Sequence, residues 1–125
     1  MSKIVLIVDD SRMSRMILQN FLSQLIPDLQ LHQAGNGDEA IALAAQYRFD
    51  VVSMDLNMPG RDGIETAQEI RAVQPDVPIA LLTANVQAAV QERAASSGLH
   101  FLPKPISAET AQRLVQLAEG GRHAA

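Results

Sequence analysis

The sequence predicts a one-domain α/β fold: a parallel sheet with helices on both faces. Three observations predict it. Short β-branched apolar runs alternate along the chain with stretches whose apolar residues recur every three or four positions. The first run, Ile4 to Val8, is apolar at every position, as in a strand buried on both faces. The chain has 125 residues, 47% hydrophobic and 19% charged, enough for one core and little more. Strict strand–helix alternation implies a parallel sheet with right-handed crossovers.

Each element has its own signal. After Val8, Ser11 opens a helical stretch in which Met13, Met16, Ile17, Phe21 and Leu25 keep the spacing of one helix face, and Pro27 ends it. Met13 and Met16 are expected in the core. Leu29 to Ala34 alternates apolar and polar residues, as an edge strand does. Gly35-Asn36-Gly37 is a turn, and Asp38 stands where it would cap a short helix reaching about Tyr47. Asp50 to Met54 reads as the third strand. Pro59 and Gly60 force a loop, and Asp62 with Glu65 three residues on has the form of a capping box. The helix it opens carries Ile64, Ala67, Ile70, Ala72 and Val73 and ends before Pro75. Pro78 to Thr83 is the fourth strand, and Asn85 is expected to cap a helix ending near Gly98. His100 to Leu102 is a short fifth strand, followed by Pro103-Lys104-Pro105. Ser107 starts a last helix with Ala111, Leu114, Val115 and Ala118. Residues 1–119 therefore read as the domain, and 120–125 as a flexible tail or the start of a linker.

Composition removes whole classes of function. There is no cysteine, which excludes disulfides, thiolate catalysis and cysteine-ligated metal. Ten basic against fourteen acidic side chains give a net charge of −4, which argues against nucleic-acid binding, since that affinity comes largely from Lys and Arg on phosphates. Aromatics are 3% with no Trp, too few for a base-stacking platform. The early apolar run is far short of the ~20 residues a bilayer needs. It ends in Asp9-Asp10 rather than a signal-peptide cleavage site, so a cytoplasmic protein is expected.

In an open parallel sheet, ligands bind beyond the carboxyl ends of the strands. Here those ends carry Asp9-Asp10, Asp55, Thr83 and Lys104, whereas the second strand ends at Ala34-Gly35 without chemical function. Three carboxylates brought to one edge repel each other and call for a counter-charge. Hard oxygen ligands of this kind suit Mg²⁺, which takes one or two protein carboxylates and keeps several waters. Only two lysines exist, Lys3 and Lys104, and the second lies at this edge between two prolines. A metal, a lysine and a hydroxyl around a carboxylate suggest that an anion forms there. The most economical one is a phosphoryl group on an Asp, since a carboxylate can act as the nucleophile.

With these residues in view, the chain resembles a bacterial response-regulator receiver domain of the single-domain chemotaxis type. The resemblance covers residues 3 to 119 and is carried by Val8-Asp9-Asp10-Ser11, Met54-Asp55-Leu56-Asn57-Met58-Pro59-Gly60, Leu82-Thr83-Ala84 and Lys104-Pro105. It implies a flavodoxin-like three-layer sandwich with strand order 2-1-3-4-5 and five helices. It implies Asp55 as phosphoacceptor, and Mg²⁺ held by Asp10, Asp55, the Asn57 backbone carbonyl and, through water, Asp9. Lys104 would pair with phosphoryl oxygens, Thr83 would donate to one, and Ala84 would offer its N–H nearby. Phe101 takes the family's switch aromatic position, although an aromatic there can equally be core filler. Asn57 and Asn85 fall where the family tunes loss of the phosphoryl group. The implied partners are a histidine kinase or phosphotransfer protein, and a downstream protein met by the surface of the fourth helix, fifth strand and fifth helix. The implied assembly is a monomer or a phosphorylation-dependent dimer.

Two other functions compete. A Mg²⁺-dependent phosphatase with an Asp nucleophile would need a second Asp two residues on, where this chain has Asn57. A flavodoxin-like flavin carrier would need a hydroxyl- and glycine-rich phosphate loop where this chain has Asp9-Asp10. His32, His100 and His123 are scattered and form no evident cluster, and Arg12, Arg15 and Arg93 are expected on a solvated or partner-facing surface.

Overall fold

The computed structural model describes residues 3–84 and 87–120. Five strands, β1 (Lys3–Val8), β2 (Leu29–Ala34), β3 (Val51–Asp55), β4 (Ile79–Thr83) and β5 (His100–Pro103), alternate with five helices. These are α1 (Arg12–Leu25), α2 (Gly37–Ala44), α3 (Gly63–Val73), α4 (Ala88–Ser96) and α5 (Ala108–Gly120). The sheet is wholly parallel in the order β2-β1-β3-β4-β5, as the resemblance implies. None of the described helices is long and apolar enough to cross a membrane.

Strand periodicity divides the core in two. Leu6, Val8, Val52, Met54, Ile79 and Leu81 point to one face, under Ala40 of α2, Ile64, Ala67 and Ile70 of α3, and Ala94 of α4. Val5, Ile7, Val51, Ala80 and Leu82 point to the other, under Leu18 and Leu22 of α1 and Ala111, Leu114 and Ala118 of α5. Residues Val51 to Asp55 and Ile79 to Thr83 are all buried, which explains their near-continuous apolar sequence. The helices after β1 and β3 pack on opposite faces, so the chain leaves these neighbouring strands in opposite directions. This opens a crevice at their carboxyl ends.

Several expectations need correction. Met13 and Met16 are exposed (70% and 54%), not core. The apolar residues of α1 and its C-cap form two adjacent rows spaced four apart, 13-17-21-25 and 18-22-26, and periodicity cannot choose between them. The sheet takes the row with Leu18 and Leu22. Helix α2 is capped by Asn36, whose side chain accepts from the Glu39 N–H, rather than by Asp38, which lies in the first turn, and it ends at Ala44 rather than near Tyr47. Strand β3 is shifted one residue along, so Asp55 is itself the last strand residue. In α3, Val73 is 58% exposed rather than packed. Asn85 lies outside the described residues, and the N-cap position of α4 is Gln87, with no side-chain cap bond. The capping box of Asp62 and Glu65 and the Ser107 start of the last helix are present as expected.

Glycine at 63 is required by a close approach. A Cβ there would lie 2.2 Å from the backbone oxygen of Asp55, while the Gly63 N–H donates to the Leu56 carbonyl at 3.0 Å. The start of α3 thus rests directly on the end of β3. Gly63→Ala is expected to cost about 2–3 kcal/mol through overpacking, read as a lower urea midpoint. An unchanged midpoint would mean that α3 does not press on Asp55.

Candidate functional site

Each residue of the site is delivered by the end of a strand. The β1–β2 ladder continues one residue past β1, with the Asp9 N–H donating to Ala34 O at 3.1 Å. The chain then turns into α1. Asp9 Oδ1 accepts the Ser11 N–H at 2.9 Å, and Ser11 caps the helix by accepting from Ser14 N. Asp55 ends β3. Lys104 follows β5, its N–H donating to Thr83 O at 2.9 Å. Alternation along the strand then turns residue 103 outward on this edge strand, so Pro103 forfeits no ladder bond. The Lys104–Pro105 peptide is cis.

These ends converge. Carboxylate oxygens of Asp9, Asp10 and Asp55 lie within 4.8 Å of one another. Lys104 Nζ sits 3.2 Å from Asp55 Oδ1 and 3.4 Å from Asp9 Oδ2. Asp9 and Asp55 are buried (4% and 5% exposed), whereas Asp10 faces solvent. Burial pushes the Asp55 carboxyl above its ordinary value of 3.8, the Asp9 carboxylate pushes the same way, and Asp10 adds to them against the pull of Lys104. Burial alone would lower the Lys104 ammonium, but Asp55 and Asp9 outweigh it and hold the group above its usual range. Lys104 is therefore a fixed cation, and with all groups ionised the cluster keeps an excess of negative charge. An all-oxygen donor set, open on the Asp10 side, fits a divalent cation that retains water.

The other predicted residues take varied places in the fold. Thr83 is buried at the end of β4, one residue beyond Leu82, which pairs with Asp55. Asn57 is exposed in the loop after β3. Phe101 is half-buried, packed with Val90 against the core under α2, α3 and α4. His32 stacks on Tyr47 at 4.1 Å between ring centroids, away from the acidic cluster, His100 is exposed on β5, and His123 lies outside the described residues. Burial lowers the pKa of His100, and Arg71 and Arg113 add to the effect. Arg12 is exposed, but Arg15 turns back and donates to the Asp9 carbonyl. Spacing did not reveal this contact. The available signal is that helical side chains lean toward the helix N-terminus.

Comparison with known proteins agrees with this geometry. The profile described as response regulator receiver domain matches residues 5–116. The transcriptional regulatory protein PdtaR of Mycobacterium tuberculosis (strain ATCC 25618 / H37Rv) is 39% identical over 115 residues, covering 91% of this chain and 55% of that protein. The chain thus spans about half the length of the curated relatives it matches. The chemotaxis response regulator CheY4 of Vibrio cholerae superposes with a TM-score of 0.83 at 30% identity, over 94% of this chain and 99% of that one. A response regulator protein from Burkholderia pseudomallei, solved with a phosphorylated aspartic acid, calcium ion and citrate, superposes with a TM-score of 0.81 at 27% identity, over 94% of this chain and 69% of that one. With the strand order, the acidic cluster and these matches together, the chain belongs to the response regulator receiver domain family, the CheY-like receivers of two-component signalling.

Proposed function

We propose that this receiver stores a phosphoryl group on Asp55 and uses it to switch a protein-binding surface. The observation that carries the reading is Lys104 seated between Asp55 and Asp9, with Asp10 completing an acidic cradle. The Burkholderia relative, with its phosphorylated aspartic acid and calcium ion, supports the same chemistry here.

In the proposed reaction, an Asp55 carboxylate oxygen attacks the phosphorus of a phosphohistidine on a histidine kinase or phosphotransfer protein. The P–N bond breaks, its electron pair stays on the imidazole nitrogen, and an acyl phosphate forms on Asp55. Asp10, Asp55 and the Asn57 carbonyl would hold Mg²⁺, with Asp9 acting through water. The bound ion would neutralise charge on the transferring group. Lys104 pairs with one phosphoryl oxygen, and Thr83 donates its hydroxyl to another beside the Ala84 N–H. Such groups do their work by position and charge, because phosphoryl transfer asks little covalent help of the protein. Drawing Thr83 toward the phosphoryl group frees space for Phe101. The surface of α4, β5 and α5 then changes its population of states and meets a downstream protein, or a second copy of the chain. Met13, Met16 and Ile17, exposed at the start of α1, offer apolar surface to the phosphodonor. On this reading residues 1–119 are the signalling unit, acting in the cytoplasm without contacting nucleic acid.

Incubation with Mg²⁺ and acetyl phosphate is expected to add the mass of one phosphoryl group, transiently, with no gain in Asp55→Asn. An unlabelled wild type, or a variant labelled equally well, would defeat the proposal. Lys104→Ala should slow labelling by about a hundredfold, the scale for losing one electrostatic donor, in the rate of mass gain.

The raised pKa of Asp55 also has a sign. Its folded-state value exceeds 3.8, so its contribution to stability is full below that pH and is lost as pH rises through the folded value. In metal-free buffer at pH 7, Asp55→Asn should therefore raise Tm, by about 3 °C per kcal/mol relieved, and the gain should shrink toward pH 4. A lower Tm for the variant at pH 7 would contradict this electrostatic picture.

A further inference from the structure

The role of Arg15 is not explained by its expected place on a solvated surface. Its side chain crosses the turn between β1 and α1 and donates through Nη1 to the backbone carbonyl of Asp9. Its Nε donates to Gln33 Oε1 on β2 at 3.0 Å, and Gln33 Nε2 donates in turn to Gln19 Oε1 at 2.8 Å. The guanidinium is thus braced between the turn before α1 and the edge strand β2, and makes no salt bridge among the described residues.

This contact completes the restraint of Asp9. Its N–H is held by Ala34 O, Oδ1 by the Ser11 N–H, Oδ2 by Lys104 and its carbonyl by Arg15. A peptide unit is planar, so fixing the carbonyl of residue 9 fixes the plane that carries the nitrogen of residue 10. Asp10 needs that help. It is exposed, and its carboxylate makes no hydrogen bond or salt bridge among the described residues, so the backbone alone aims it at the cradle.

We propose that Arg15 is a positioning residue for the cation site: by gripping the Asp9 carbonyl it orients the Asp9–Asp10 peptide and so aims the Asp10 carboxylate. The inference rests on the functional reading above, in which the acidic cradle holds Mg²⁺. Arg15 touches neither the ion nor the phosphoryl group. Its loss should therefore weaken cation binding while leaving the chemical step intact once the site is filled.

The test is calorimetric titration of the purified chain with MgCl₂, for wild type, Arg15→Ala, Arg15→Lys and Gln33→Ala, with Tm recorded for each. Arg15→Ala should weaken Mg²⁺ binding about tenfold, the scale seen when residues that orient metal ligands are removed. Arg15→Lys, which keeps one donor, should recover part of the loss, and Gln33→Ala should show a smaller loss in the same direction. With acetyl phosphate, Arg15→Ala should need about tenfold more Mg²⁺ for half-maximal labelling yet reach a near wild-type rate at saturation. If wild type binds Mg²⁺ and Arg15→Ala binds it equally well, the positioning role is wrong while the functional reading stands. A deficit in the rate at saturating Mg²⁺ with unchanged half-saturation would also overturn it. If wild type takes up no Mg²⁺, both readings fall. Should Arg15→Ala not fold, Arg15→Lys and Gln33→Ala decide by the same comparison.

Discussion

The ammonium of Lys104, held between the carboxylates of Asp55 and Asp9, is the interaction on which the rest depends. Two nearly buried carboxylates beside a third would repel strongly in a medium of low dielectric constant. One lysine reduces that repulsion without removing it, and the imbalance gives the site its chemistry. A cluster with surplus negative charge and open water access on one side attracts a dication. On the proposed reading, balancing that charge lets the same carboxylates face an incoming phosphoryl group. A fully neutral cluster would be more stable and would have less reason to bind a cation.

The fold maintains this imbalance by making the site expensive to rearrange. Asp55 ends a strand whose residues are all buried, and the start of α3 rests on its carbonyl through Gly63. Asp9 is tied to β2 and to the start of α1. Lys104 arrives from the far edge of the sheet, its backbone pinned to Thr83. Three segments far apart in sequence thus meet where the chain leaves β1 and β3 in opposite directions, at the crevice parallel sheets provide for ligands. Thr83 is buried at the end of β4, and Phe101 of β5 packs against the core under α2, α3 and α4.

Much of this was legible in the sequence, because strand ends and apolar runs are local signals. Apolar runs located β1, β3 and β4 to within a residue, the ends of β1 and β3 named the acidic cluster, and the residue after β5 named its lysine. Local patterns failed where two solutions were locally equivalent. Helix α1 carries two adjacent apolar rows, and only packing against Val5 and Ile7 selects Leu18 and Leu22 over Met13 and Ile17. At the start of α2, Asn36 and Asp38 are both good caps, and the extended backbone falls at Asn36, so its side chain takes the Glu39 N–H. The grip of Arg15 on Asp9 depends on side-chain direction, which spacing encodes only faintly.

The surplus charge at Asp55 can be measured directly. The carboxyl carbon of Asp55 can be followed by nuclear magnetic resonance against pH, in metal-free buffer and again with saturating Mg²⁺. Burial and the neighbouring carboxylates predict a metal-free midpoint above the ordinary 3.8 and a marked fall when the cation is added. A midpoint at or below 3.8 without metal, or one that Mg²⁺ leaves unmoved, would contradict the view that uncompensated negative charge at this sheet edge is what the site is built to hold.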